Sequence, residues 1–392
     1  MEIFEIKQIL SQKYSQAFGQ EPTTYISSSG RLEIIGNHTD HNHGLCLVAG
    51  VNMPMYGACR KHQAKVVRLV SEGFNELVEI DITDLMAKKD EKATSMGLVR
   101  GVLFQSQALG FMIGGFDLFV QSEVLKGSGV SSSAAFELLL TQVINTLYNQ
   151  DQIDALTMAK IGQYAEVHYF GKPCGLLDQV GVSFGGFNYL DFKSLKTPKI
   201  EHLDTSLEDY QIFILDTGGS HAHLTPYYAE IRKDMERVAR HFGKGHLRSV
   251  PEKAFYQALP TLKENVGGRA ILRAIHFYEE NKRVKKAYHA LKVGATKRFL
   301  KQIQASGDSS YTHLQNFTYP GDYQQGLSYA FLLSKTLIHD GAIRIHGGGF
   351  AGTLIAFVHK SEASQYQASI GRLIGEEKIY PVSIRPVGVM TL

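Results

Sequence analysis

Two acids stand where they could serve catalysis. Glu166 lies in a stretch of helical periodicity, and Asp178 follows in Gly175-Leu-Leu-Asp-Gln, among apolar residues. Phosphoryl transfer asks mainly for positioning and for neutralisation of phosphate charge. It also asks for one carboxylate to orient or deprotonate the attacking hydroxyl, while another can hold a divalent cation. Either acid serves equally as a helix cap or an ion-pair partner, and spacing alone favours that plainer use. Between Gly127 and Ala135, two glycines let backbone approach a ligand closely and three successive serines supply hydroxyls. The turn feeds a helix whose first N–H groups and positive dipole end attract phosphate. A flexible turn with a serine helix cap explains it as well. This turn carries neither GxxxxGK[ST] nor GxGxxG, so the two commonest nucleotide folds lose support here. A further cluster, Gly347 to Gly349 with Gly352, can expose an anion nest or simply let strands pack closely.

The run Asn37-His-Thr-Asp-His-Asn-His holds three histidines and an aspartate. Its histidines lack the i, i+4 placement of a helical zinc site, and no thiolate or glutamate completes a ligand set. Asn37, His38 and Asp40 instead offer the mixed donors and acceptors that a polyhydroxyl ligand requires, since every buried hydroxyl needs partners. A solvated polar turn is the alternative reading.

These residues need elements to hold them. Apolar positions from Phe4 to Phe18 recur at a helical period, with Gly19 as the stop, and Arg31 to Ile35 alternates as a strand running into the polar turn. Ser95 to Leu109 reads as a helix and Gly115 to Gln121 as a strand, so strand, glycine-rich turn and helix (Ala134 to Leu147) occur in that order. Ile153 to Phe170 reads as helical, and Gly175 to Leu190 as a turn leading to short strands. Tyr210 to Asp216 reads as a buried strand. Helices are expected at Tyr227 to Phe242, Ala270 to Val293 and Gln324 to Leu337, and a strand at Thr353 to Val358. The alternation points to α/β or α+β, and the weakest join falls between Lys193 and Asp209.

A chain of 392 residues suits two packed domains, and its 44% hydrophobic and 20% charged content sets disorder and fibrous classes aside. Net charge is +3 without a long run of one sign, which argues against nucleic-acid binding. Cys46, Cys59 and Cys174 are too few and too irregular for a disulfide framework and read as reduced. The first residues lack a signal-peptide pattern, and no window approaches the roughly 18 apolar residues of a membrane span. A cytoplasmic protein without membrane contact is expected.

Taken in order, Gly30-Arg-Leu-Glu-Ile-Ile-Gly-Asn-His-Thr-Asp-His-Asn, Gly127-Ser-Gly-Val-Ser-Ser-Ser-Ala-Ala, Cys174-Gly-Leu-Leu-Asp-Gln and Arg344-Ile-His-Gly-Gly-Gly-Phe resemble galactokinase, a family of the GHMP small-molecule kinases. The resemblance spans nearly the whole chain. It implies an α+β, two-domain GHMP kinase fold with the active site in the interdomain cleft, domains at 1–200 and 201–392, ATP and Mg2+ as cofactors, a sugar substrate, and a monomer. By motif, Asp178 would be the catalytic acid and Arg31 the transition-state arginine. Gly127, Ser128, Gly129, Val130, Ser131, Ser132 and Ser133 would form the phosphate loop, with Ser133 and Glu166 on magnesium. Asn37, His38, Asp40 and Tyr228 would meet the sugar.

Asn37 stands where the family usually has a glutamate associated with the sugar's C6 hydroxyl, which removes a negative charge there. Leu125 and Ser29 replace prolines, and His346 stands where a small polar residue is common. The implied activity is phosphorylation of galactose at C1. A sugar-1-kinase for another hexose or a galacturonate-like acid is the alternative enzyme, and a non-catalytic sugar sensor the alternative of another class.

Overall fold

The computed structural model describes residues 2–73, 77–124, 129–172, 174–218 and 224–392. Gly127 and Ser128 of the expected phosphate loop, and Leu125 before it, lie outside the described residues.

Helix α1 (Ile3–Phe18) ends at Gly19, whose φ of 70° is the left-handed geometry that only glycine adopts without cost. Strands β1 (Thr24–Ile35), β2 (Leu45–His62), β3 (Val66–Ser71) and β4 (Val78–Asp81) follow, then α2 (Ser95–Ala108) and β5 (Gly115–Ser122). Next come α3 (Ser132–Tyr148), α4 (Ala155–Ala165), α5 (Leu177–Phe184), β6 (Phe187–Asp191) and β7 (Lys199–Leu203). The chain goes on through β8 (Tyr210–Asp216), α6 (Thr225–His241), α7 (Glu252–Val266), α8 (Gly268–Lys292) and α9 (Thr296–Ser309). It closes with α10 (Gly326–Leu337), β9 (Gly341–His346), β10 (Thr353–His359), α11 (Lys360–Ile374), β11 (Ile379–Val382) and β12 (Met390–Thr391).

Eight strands form one sheet in the order β12-β1-β2-β5-β3-β4, with β6 on β2 and β7 on β6; the other four form a second, in the order β11-β8-β10-β9. Every pairing is antiparallel except β3 with β5. The final strand therefore returns to β1, and β7, inside the segment read as the weakest join, belongs to the large sheet.

Side chains alternate across a strand, and β8 shows the result. Ile212 and Ile214 join the core that runs from β1 through α3 to Val284 of α8 and Phe299 of α9, while Phe213 and Leu215 pack with Phe331 of α10 and Ile370 of α11. The second sheet is thus covered on both faces, and its inner face is continuous with the core behind β1.

Most expected elements are present, and three differences matter. Gly175 to Leu190 holds a helix, α5, before its strand, because Leu177 and Val180 bury on one side and Gly181 lets the helix lie against Arg31. Helix α4 stops at Ala165, and a π-helical turn carries Glu166 to Phe170. Helices α7, α9 and α11 were not among the expected elements, and α7 holds Pro260 inside it.

Candidate active site

Strand β1 delivers Arg31 to the start of α5. The Arg31 Nε donates to Asp178 Oδ1 at 2.8 Å, its Nη2 lies 2.7 Å from the same oxygen, and its Nη1 donates to the Gly129 carbonyl at 2.5 Å. The Arg31 backbone N–H donates to the Val130 carbonyl at 3.0 Å. This approach needs a glycine beforehand, since a Cβ on Gly30 would lie 2.8 Å from that carbonyl oxygen. Ser131, at φ 60° and ψ 63°, turns its hydroxyl to Asp178 Oδ2. That hydroxyl therefore does not cap α3, which leaves the helix's first N–H groups facing the loop. Burial would raise the Asp178 carboxyl, but Arg31, Lys172 and the Ser131 hydroxyl together hold it below its usual range. Asp178 is therefore ionised at neutral pH.

Ser133, on the first turn of α3, donates to Glu166 Oε1 at 3.0 Å. The same oxygen accepts from Lys172 Nζ at 2.8 Å, and Glu166 Oε2 accepts from Gln179 Nε2 at 2.8 Å. Gln179 also donates to Glu137 Oε2 at 3.0 Å. Glu137 is wholly buried, and desolvation plus the Glu166 charge push its carboxyl well up. Ser133 and Glu166 converge as two hard oxygen donors of the kind magnesium takes, so the pair fits that ion.

The segment from Gly36 to Asn42 is held by groups from both sheets' sides of the molecule. Asn37 is buried, and its amide is engaged on both sides. Its Nδ2 donates to Glu33 Oε1 (3.1 Å) and the Gly347 carbonyl (2.7 Å), and its Oδ1 accepts from Ser310 Oγ (3.2 Å) and Asn316 Nδ2 (2.9 Å). A hydrogen-bond chain sets the tautomers beside it. Asn42 Nδ2 donates to His41 Nδ1 (2.9 Å), His41 Nε2 to His38 Nδ1 (3.3 Å), and His38 Nε2 to the Gly348 carbonyl (2.8 Å). Burial lowers both imidazoles, so both are neutral. Tyr228, on α6, donates to the Gly349 carbonyl at 3.1 Å, and burial raises its phenol to about 12. The glycine cluster thus turns carbonyls, rather than an anion nest, toward this segment.

Asp40 differs from these neighbours. Desolvation raises its carboxyl to about 6, with Glu33 and Asp178 adding to the rise. It faces Gly175, where a Cβ would come within 2.6 Å of Asp40 Oδ2. Gly175→Ala is expected to displace this carboxylate and, on the reading that Asp40 accepts a sugar hydroxyl, to raise the sugar KM roughly tenfold, the loss of one charge-assisted hydrogen bond, with a smaller change in kcat. Steady-state kinetics checks the split.

Sequence reasoning missed the frame behind these groups. Glu280 of α8 is fully buried and accepts from the Gly36 and Asn37 N–H groups (3.0 and 3.3 Å), Ser306 Oγ (2.5 Å) and Arg283 Nε (2.6 Å). Burial opposes its charge, yet Arg283, His276 and Arg344 bring the carboxyl down to about 2. Arg344 of β9, with no exposed surface, donates to the Glu33 carbonyl (2.6 Å) and Glu33 Oε1 (2.8 Å). His346 Nε2 accepts from the Glu33 N–H at 3.0 Å, which ties β9 to β1. Glu33, Arg344 and His346 lay within the quoted motifs. Glu280 sits in the ordinary charged stretch Glu279-Glu-Asn-Lys-Arg, and nothing there marks it.

A glycine-rich turn leading to α3, an Arg31–Asp178 pair and a Ser133–Glu166 pair, all placed around the large sheet, are the marks of a GHMP small-molecule kinase. The family model described as the GHMP kinases N terminal domain matches residues 97–186, and the fold is shared with a Methanococcus jannaschii mevalonate kinase (TM-score 0.66, 13% identity, 93% of this chain and 99% of that one). Within that class the chain belongs to the galactokinase family. It is 31% identical to a galactokinase of Streptococcus suis over 94% of this chain and 93% of the relative, and 29% identical to one of Lactobacillus helveticus over 96% of each. The galactokinase galactose-binding signature matches residues 12–61. The crystal structure of Lactococcus lactis galactokinase complexed with galactose superposes with a TM-score of 0.85 at 26% identity, covering 99% of this chain and 100% of that one. Among the described residues no helix is long and apolar enough to cross a membrane.

Proposed function

We propose that this protein transfers the γ-phosphate of ATP to the C1 hydroxyl of galactose, giving α-galactose 1-phosphate and ADP. The observation that carries this reading is the convergence of Arg31 and Ser131 on the Asp178 carboxylate, in the same turn that places Ser133 on Glu166. Asp178 accepts the proton of the attacking hydroxyl, and the Arg31 guanidinium stabilises charge as the oxygen reaches phosphorus. The N-terminal N–H groups of α3 receive the nucleotide phosphates. Ser133 and Glu166 would hold Mg2+, which would supply neutralisation of phosphate charge. Asp40 accepts sugar hydroxyls, Tyr228 and His38 border the same space, and Asn37 acts by fixing the turn that presents them. The two sheets are read as the centres of two lobes, the expected boundary at 200/201 falling inside β7, and the protein as a cytoplasmic monomer.

A coupled assay of ADP formation across galactose, other hexoses and galacturonate tests the reading. Galactose is expected to give the highest kcat/KM. Strong turnover of another sugar with none of galactose would transfer the assignment to a related sugar-1-kinase, and sugar and ATP binding without turnover would make the protein a sensor.

A further inference from the structure

The ammonium of Lys172 has no part in the steps above, yet it lies among the groups that take part. Its backbone N–H donates to the Glu166 carbonyl at 3.0 Å, which fixes the start of its side chain just past the π-helical turn. Its Nζ is 2.8 Å from Glu166 Oε1, the oxygen that Ser133 Oγ approaches to 3.0 Å. After Arg31, it is the charge that does most to hold Asp178 ionised, and its field reaches Glu137 and Tyr228. Glu166 has no exposed surface, whereas the Lys172 side chain is 55% exposed. The lysine therefore runs from solvent to the buried Glu166 carboxylate.

We propose that Lys172 is a phosphate-contacting residue, a protein-supplied positive charge that meets the terminal phosphoryl group of the nucleotide opposite Arg31. The inference rests on the kinase reading. Glu166 Oε1 is well suited to one cation at a time. If a divalent ion takes that oxygen together with Ser133, like charge drives the ammonium off it. Asp178 is already paired with Arg31 and Ser131, so the phosphate over the start of α3 is the anion left for Lys172 to meet. Charge in phosphoryl transfer spreads over the three equatorial oxygens of the moving group, and a preplaced donor there acts mainly on the transition state.

The test is Lys172→Met, which keeps the stem and removes the charge, beside Lys172→Arg, which keeps the charge. Titration calorimetry with ADP and with a non-hydrolysable ATP analogue should show the methionine variant weakened about tenfold toward the analogue, with ADP affinity within about twofold of the parent. Its kcat should fall about a hundredfold. The arginine variant should recover most of the analogue affinity. Equal losses for both nucleotides, or a lowered melting temperature of the nucleotide-free protein with nucleotide affinities unchanged, would make Lys172 only a counter-ion of Glu166 and overturn the proposal. Parent-like behaviour of Lys172→Met in every measurement would do the same. If the parent protein forms no ADP with any sugar, the kinase reading fails instead.

Discussion

Asp178→Asn is expected to lower kcat for galactose by about a hundredfold to ten-thousandfold, the range for loss of a positioned general base, while ATP affinity stays within a few-fold of the parent. Asparagine keeps the shape of the side chain, but its single acceptor oxygen can keep the bond from Arg31 Nε or the one from the Ser131 hydroxyl, not both. It cannot take a proton. Residual turnover within about tenfold of the parent would mean that Asp178 only orients Arg31 and that the sugar loses its proton elsewhere.

The pH profile separates the two carboxylates. Asp178 lies below the usual carboxylate range, so it imposes no limb on kcat near neutrality. Asp40 protonates near 6 in the sugar-free protein. The kcat/KM for the sugar, which reports the free enzyme, should therefore fall as pH drops below about 6 while kcat holds.

The second large effect is on the frame. Glu280→Ala is expected to cost about 3–5 kcal/mol of folding stability, because it leaves the partly buried Arg283 guanidinium and the N–H groups of Gly36 and Asn37 without their acceptor. The sugar KM should rise with it, since Asn37, His38 and Asp40 hang from that turn. Denaturant titration of the variant against the parent measures the loss, and a difference below about 1 kcal/mol would show that water or Ser306 replaces the carboxylate.

Glu280 also carries a pH signature. Its carboxyl is brought from an ordinary 4.5 to about 2, so its contribution is fully present above 4.5 and is lost as pH falls from there toward 2. The shift corresponds to about 3 kcal/mol. The stability gap between the parent and Glu280→Gln should therefore narrow below pH 4.5. His276, buried and lowered to about 3, works in the same direction: the unfolded chain takes up a proton on this imidazole from about 6.5 downward while the folded one does not. Asp40 opposes both, since its raised pKa makes the folded state bind the extra proton between 3.8 and about 6.

Local chemistry was legible in the sequence. Short-range rules fix the end of α1 at Gly19, the strand of Arg31, the helix after the serine turn and the buried strand β8, because a periodic apolar pattern or a glycine at positive φ is written within a few residues. The motif order was enough to place the chain in its kinase class. Helices α7, α9 and α11 were not among the expected elements, although α9 buries Phe299, Leu300 and Ile303 at a helical spacing; Pro260 inside α7 argues locally against a helix there, and burial against other elements decides it. Tertiary structure alone decided that Arg31 and Asp178, 147 positions apart, share a hydrogen bond. It also decided that Glu280 holds a turn 244 positions away, and that the amide of Asn37 bonds inward to groups from α8's neighbours and the glycine cluster. Hydrogen bonds and ion pairs depend on distance in space, and no pattern within one segment records which distant residue folding will bring to 3 Å.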